Sequence, residues 1–134
     1  MRDNEKYIID MCDLVLKQKS YRQHTFDFLK GDTGRKLPVD AYYPLLNLVI
    51  EFHERQHTGP VPFFDRRITA SGVSRGIQRR IYDQRRRNVL PKYGIKLVEF
   101  SINEFPHKNQ RKLIQQPETN RKIIYDKLKH YINA

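Results

Sequence analysis

Residues 37–57 read "LPVDAYYPLLNLVIEFHERQH" and join a strongly apolar run to a dense polar cluster. The run "LNLVIEF" at 46–52 is apolar at nearly every position, which is typical of a strand covered by helices on both faces. Pro44 and Asn47 predict a short reversal just before it. A buried strand usually ends in turn residues, so the polar cluster that follows indicates either a solvated loop or a site.

The chain before this stretch predicts a helix and a hairpin. Residues 5–17 place apolar side chains at helical spacing, and Asp3 or Asn4 can cap the helix. Residues 21–29 alternate and are rich in β-branched and aromatic types, and "KGDTG" at 30–34 supplies turn chemistry before the next strand. The helix side chains expected to face the core are Tyr7, Ile8, Met11, Leu14 and Val15.

The chain after it predicts a loop, a basic helix, a strand and a last helix. Residues 57–72 are rich in Pro, Gly and small residues, as in a loop of about 15 residues. Ser74 can cap a helix that runs to about Val89, and "GIKLVEF" at 94–100 predicts a strand. In an α/β order of this kind, a strand after a crossover helix lies parallel to a sheet neighbour. The inward positions expected on the two helices are Ile77, Ile81 and Val89, then Ile124, Leu128 and Ile132.

Size and composition predict a single domain over residues 1–134. With 134 residues and 38% hydrophobic content, the chain is long enough for one core and too short for two ordinary domains. No apolar run reaches the ~20 residues of a membrane span, and the N-terminus lacks the apolar stretch of a signal peptide. We therefore expect a soluble, cytoplasmic protein without membrane partners. A single cysteine, Cys12, excludes an internal disulfide and a cysteine-rich zinc site.

The charge of the chain predicts a polyanionic partner. There are 26 Lys and Arg against 15 Asp and Glu, a formal net charge of +11. Between residues 66 and 96, ten basic residues accompany one acidic residue, Asp83. Counterion release from phosphates favours nucleic acid, and with it a nucleoid-associated protein, over a membrane surface. The helix side chains expected to contact phosphates are Arg75, Arg79, Arg80, Arg86 and Arg87.

Two carboxylates bracket the predicted turn at 44–47. Asp40 lies near the end of the second predicted strand and Glu51 near the end of the third, so the turn would bring them side by side. The period of two places Val49, Glu51 and His53 on one face of the third strand. Converging carboxylates suit Mg²⁺ or Mn²⁺, which also bridge to phosphates. In a basic protein, this pattern predicts phosphodiester hydrolysis.

These features together resemble the PD-(D/E)xK nuclease superfamily. The resemblance rests on the stretch 37–57, the arginine-rich helix and "YGIKLVEF" at 93–100. It is nearest the branch of very-short-patch repair endonucleases, with a Glu-x-Asp-Gly-x-Gln-His strand end. It implies an α/β, restriction-endonuclease-like αβββαβ core over about residues 5–100, with a mixed central sheet flanked by helices. An extra C-terminal helical extension would cover about 108–132.

The resemblance also implies roles for individual residues. It makes Asp40 and Glu51 the ligands of Mg²⁺ or Mn²⁺, whereas His53 stands where the family keeps a lysine. The candidates for the missing catalytic group are His53, Gln56 and His57, although the two histidines are about as well explained as solvated loop residues. Glu5 is a further acid that related folds sometimes place near the metal, and here a surface position is expected for it.

The implied activity is that of a metal-dependent DNA endonuclease or nickase. A homodimer is expected if both strands are cut, because each chain carries one site. The missing lysine leaves an alternative open, namely a catalytically inactive nucleic-acid-binding module of the same fold. A nucleoprotein subunit that only neutralises phosphate charge is a third interpretation.

Overall fold

The computed structural model describes residues 3–54, 74–109 and 112–132. A four-stranded mixed sheet forms its centre, in the order β1-β2-β3-β4. β1 and β2 pair antiparallel, as do β2 and β3, whereas β3 and β4 pair parallel. The strands are β1 Tyr21–His24, β2 Val39–Tyr43, β3 Leu48–His53 and β4 Lys96–Ser101, and the helices are α1 Asp3–Leu16, α2 Arg75–Val89 and α3 Pro117–Ile132.

The element order confirms the predicted αβββαβ core with an added C-terminal helix. β4 follows α2 and lies parallel to β3, as expected for a strand that follows a crossover helix. The extension is not entirely helical, because a small antiparallel pair, β5 His107–Lys108 and β6 Lys112–Leu113, precedes α3. No helix in the described ranges is long and apolar enough to cross a membrane.

One face of the sheet packs against α1 and α3 through apolar side chains. The buried positions of α1 follow helical spacing, and Leu14 falls on the opposite side with 72% of its surface exposed. The prediction that Leu14 faces the core is therefore wrong. Ile132, the last residue of α3, is also 37% exposed. The buried helix side chains on this face are Ile8, Ile9, Cys12, Val15, Leu16, Ile124 and Leu128.

The other face packs against α2 and has a smaller apolar core. Ile77 and Ile81 are largely exposed, so the predicted apolar stripe of α2 is mostly on the surface. Gly76 is the buried residue of this helix. Arg85 and Arg86 instead donate to backbone carbonyls below the helix, each at 2.9 Å. The core on this face consists of Leu29, Leu37, Val39, Val49, Leu90 and Ile95.

The register of the sheet sets the positions of the site residues. The β2–β3 ladder includes Tyr42 with Val49 and Ala41 with Ile50, so Asp40 and Glu51 come next, where it ends. Asp40 is the second residue of β2, not near its end as expected, and the antiparallel pairing still brings it beside Glu51. On the other side, the parallel register aligns Glu51 with Glu99.

Candidate active site

The carboxylates of Asp40 and Glu51 are both held by backbone hydrogen bonds between β2 and β3. The backbone N–H of Asp40 donates to Glu51 Oε2 at 2.5 Å, and that of Phe52 donates to Asp40 Oδ2 at 2.8 Å. Each carboxylate thus accepts from the backbone of the neighbouring strand, just beyond the last ladder pair. Because backbone donors fix carboxylate oxygens in place, the two acidic groups are held side by side.

Glu5 of α1 lies beside this pair, where a surface position was expected. Gln23 Nε2 donates to Glu5 Oε2 at 3.0 Å and approaches Asp40 Oδ1 at 3.5 Å. Burial, followed by the negative charge of Asp40, raises the pKa of Glu5 to about 7. Glu5 therefore belongs to the acidic group, and sequence periodicity missed it because it lies beside the buried stripe of α1.

Gln23 reaches these carboxylates from an unusual backbone conformation. Its φ is 51°, in the left-handed region that non-glycine residues seldom occupy. It lies in β1 between residues that pair with Ala41 and Val39, and so opposite Asp40. No sequence signal identifies Gln23, since its role depends on a local backbone departure.

Arg86 of α2 partly neutralises Glu51. Burial and the charge of Asp40 raise the pKa of Glu51 well above its ordinary value, and the nearby guanidinium opposes that rise. Arg86 Nε lies 3.3 Å from Glu51 Oε1, and Nη1 lies 3.2 Å from Asp83 Oδ1. The Arg86 side chain is only 14% exposed. It therefore fixes Glu51 from below and joins α2 to the site.

His53 is held between two acidic side chains. Its Nε2 lies 2.8 Å from Glu99 Oε1, and its Nδ1 lies 4.0 Å from Asp83 Oδ2. Burial disfavours the charged imidazolium, but the hydrogen bond to Glu99 and the charges of the nearby carboxylates together outweigh it and raise the pKa of His53. Both ring nitrogens face carboxylates, so the geometry favours a fixed cation over a free base.

Glu99 is the second site residue that the sequence analysis did not identify. Burial opposes its charge, yet the hydrogen bonds from His53 and Arg87 lower its pKa to about 2. Arg87 donates to both Glu99 oxygens, through Nε to Oε2 and Nη2 to Oε1, each at 2.8 Å. A signal existed, because alternation along β4 places Leu97 and Glu99 on the face opposite Val98 and Phe100.

The remaining predicted residues fall into two groups. Gln56 and His57 lie outside the described residues. Arg75, Arg79 and Arg80 lie in the first half of α2. The structure thus brings Asp40, Glu51 and His53 onto one face, with two of the five arginines beside them.

The donor set of this site suits a hard divalent cation. Burial and the charge of Asp40 raise the pKa of Glu5 and Glu51, and a divalent cation beside them would offset this repulsion. Among the described residues, no group of three or more His, Cys, Asp and Glu is arranged to hold a metal. Mg²⁺ often takes only one or two carboxylates and completes its shell with water and phosphate. Asp40 and Glu51 match that mode.

Comparison with known proteins bears on the fold. No protein-family model and no curated protein sequence matches this chain. Among solved structures, the chain is similar to the 5-hydroxymethylcytosine-specific restriction enzyme AbaSI, with a TM-score of 0.50 and 18% sequence identity. The similarity covers 98% of this chain and 42% of that one. The mixed sheet flanked by helices is thus a restriction-endonuclease-like fold.

Proposed function

We propose that this protein is a metal-dependent DNA endonuclease or nickase that uses Asp40 and Glu51 to hold Mg²⁺ or Mn²⁺. The observation that carries the proposal is that these two carboxylates, at the end of the β2–β3 ladder, each accept a hydrogen bond from a backbone N–H of the neighbouring strand. The restriction-endonuclease-like fold and the net charge of +11 support it. The very-short-patch repair branch is the relationship that we propose within this fold.

Each residue of the site has a distinct part in the proposed reaction. A divalent cation, when bound, supplies an acid that activates water and stabilises charge on the phosphate. Asp40 and Glu51 supply fixed oxygen ligands, and Arg86 keeps Glu51 in position. His53, hydrogen-bonded to Glu99, supplies positive charge when it is protonated, in place of the family's lysine. Gln56 and His57 are our candidates for orienting the attacking water.

DNA contact is proposed for the first half of α2. Arg75 and Arg79 are four residues apart and share a helical face, with Arg80 next to it. Arg87 has a partly exposed side chain and could reach a phosphate while it binds Glu99. Arg86 acts indirectly, through Glu51. A homodimer would supply the two sites that a double-strand cut requires, whereas one chain would nick.

Cleavage of a supercoiled plasmid tests the proposal. Asp40→Asn and Glu51→Gln remove charge at nearly constant shape, so we expect each to reduce Mg²⁺- or Mn²⁺-dependent cleavage roughly a thousandfold while DNA binding persists. Asp27→Asn is the matched control, because Asp27 is a surface carboxylate and its loss should leave cleavage unchanged. Full cleavage by both site variants would contradict the proposal. A nicked product would indicate a nickase, and a linear product would indicate an endonuclease that cuts both strands.

The second candidate is an inactive DNA-binding module of the same fold. It is favoured by His53, whose two nitrogens face Glu99 and Asp83 rather than open space. Under this alternative, calorimetry would detect DNA binding but no uptake of Mn²⁺ by the wild-type chain. Under the nuclease proposal, Mn²⁺ uptake is measurable and is weakened in Asp40→Asn.

A further inference from the structure

A continuous row of aromatic rings crosses the α2 side of the sheet. His24 stacks on Tyr42 with ring centroids 4.9 Å apart, and Phe26 meets Tyr42 edge-on at the same distance. Phe26 then stacks on Phe28 at 5.0 Å. We call this set the aromatic row; its members are Tyr21, His24, Phe26, Phe28, Tyr42 and Tyr93.

One end of the row is a stack that is incomplete on its outer side. Phe28 and Tyr93 are nearly parallel, at 9°, with centroids 3.7 Å apart. Phe26 and Phe28 are also close to parallel, at 23°. Tyr93 is the last ring and is 58% exposed even though Phe28 covers one of its faces. The three rings therefore form a column on which a further flat ring could stack.

The middle of the row lies beside the candidate active site. Tyr42 and Asp40 are two residues apart on β2, so their side chains lie on the same face of the sheet. Tyr93 lies in the turn before β4, at the end of the sheet opposite Glu99. The row thus extends from beside the carboxylates to the far end of the sheet.

Exposed lysines accompany the exposed ends of the row. Lys92 precedes Tyr93, and Lys30 follows Phe28 by two residues. At the other end, Lys19 precedes Tyr21 by two residues, and all three lysines are exposed. Aromatic faces combined with nearby positive charge are the features with which proteins bind unpaired bases on a phosphate backbone. An apolar protein partner would gain nothing from these lysines.

We propose that the aromatic row binds unpaired bases of single-stranded DNA, with a base stacked on Tyr93 and the flanking phosphates near Lys92 and Lys30. The choice of DNA rests on the proposed function, which the row would extend by accepting a substrate with an unpaired segment near the cleavage site. Stacking tolerates any base, because every base has a flat face. The row would therefore recognise unpaired structure, not sequence.

Binding without metal tests this proposal. Labelled thymidine oligonucleotides and a duplex of equal length are titrated with the full chain in EDTA, and fluorescence anisotropy gives the affinities. Tyr93→Ala should weaken single-strand binding about tenfold, since the loss of one stacking partner is of that order. Duplex binding depends mainly on phosphate contacts and should change by less than about twofold.

Two control variants isolate the ring of Tyr93. Tyr93→Phe keeps the flat face and should keep single-strand affinity. Tyr125→Ala removes a comparably exposed tyrosine, 46%, from α3 on the other side of the sheet, and should have no effect. Thermal unfolding confirms that each variant is folded.

Three results would overturn the proposal. The first is an unchanged single-strand affinity in Tyr93→Ala, and the second is an equal loss of affinity for duplex DNA in that variant. The third is tighter binding of the wild-type chain to a uridine oligonucleotide, which is RNA, than to the thymidine oligonucleotide. Because cleavage plays no part in these titrations, they are independent of the nuclease proposal. A wild-type chain that binds single strands through Tyr93 but never cleaves a plasmid would overturn the nuclease proposal alone.

Discussion

The two faces of the sheet are covered by helices that are held in different ways. On one face, α1 and α3 bury apolar side chains such as Ile8, Ile9 and Leu128. On the other, α2 packs only the partly buried Tyr82 and Val89 against a smaller core and is also attached by arginines that bind carbonyls and carboxylates. Apolar burial depends little on pH or on moderate ionic strength, whereas ion pairs depend on both. The first face supplies stability and the second carries charge.

The difference shows why the candidate site lies under α2. Glu51, His53 and Glu99 need charged partners close by, because an unpaired buried charge is costly. Arg86 and Arg87 supply these partners and attach the helix at the same time. The helix proposed to contact DNA is thus held by the same charges that define the site. A purely apolar helix could not couple the two.

The largest expected effect comes from breaking the apolar face. Ile9→Ala removes a fully buried side chain of α1 and should lower the free energy of unfolding by about 2–5 kcal/mol. Leu14→Ala, on the exposed side of the same helix, is the matched control and should change it by less than about 0.5 kcal/mol. Denaturant unfolding at low and high salt measures both. Similar losses for the two variants, or a strong salt dependence for Ile9→Ala, would contradict the contrast between the faces.

The apolar face was also the more predictable one. Alternation along β3 correctly separated Glu51 and His53 from Ile50 and Phe52, because a period of two follows from strand geometry alone. The element order and the parallel β4 followed from the chain order in the same way. Such features depend on neighbours in sequence, so one sequence is sufficient to predict them.

The charged face was predicted only in part, for a physical reason. Glu99 meets His53 through the register of two strands that are 46 residues apart in the chain, and Arg86 meets Glu51 across a helix–sheet contact. The local periodicity of the sequence does not encode contacts between residues that are so far apart in the chain. Arg86 and Arg87 were expected to contact DNA, whereas the fold directs both towards its own acceptors.

A smaller effect is expected from breaking the charged face at Glu99. The pKa of Glu99 is lowered to about 2 in the folded chain, against 4.5 for the ordinary side chain, so its stabilisation is present above pH 4.5 and is lost as pH falls towards 2. Glu99→Gln should therefore cost about 2 kcal/mol near pH 6, after allowance for partial exposure. The wild-type protein and Glu99→Gln should have similar free energies of unfolding near pH 2. Denaturant unfolding at a series of pH values measures this.

The same contact predicts a change at His53. A raised pKa means that the imidazolium stabilises the fold below pH 6.5 and that this contribution fades as pH rises through the folded value. Because both shifts describe one hydrogen bond, their free energies are not added. NMR titration of the His53 ring should show a lower pKa in Glu99→Gln. An unchanged His53 pKa would contradict the assignment of Glu99 as its main partner.

The smallest expected effect concerns Gln23, whose left-handed backbone should lower the stability of the fold. A left-handed residue other than glycine is strained by about 1 kcal/mol, and glycine relieves this strain. Gln23→Gly should therefore be more stable than Gln23→Ala by about 1 kcal/mol, while both lose the amide that bridges Glu5 and Asp40.

Since the Gln23 amide lowers the pKa of Glu5, both variants should raise that pKa above about 7 and weaken Mn²⁺ uptake equally in calorimetry. Equal stability of the two variants would mean that the backbone at Gln23 is unstrained, and unchanged Mn²⁺ uptake would mean that the bridge does not organise the carboxylates. A Gln23→Gly variant that is more stable than the wild-type protein but binds Mn²⁺ more weakly would show that the geometry of the charged face lowers the stability of the fold.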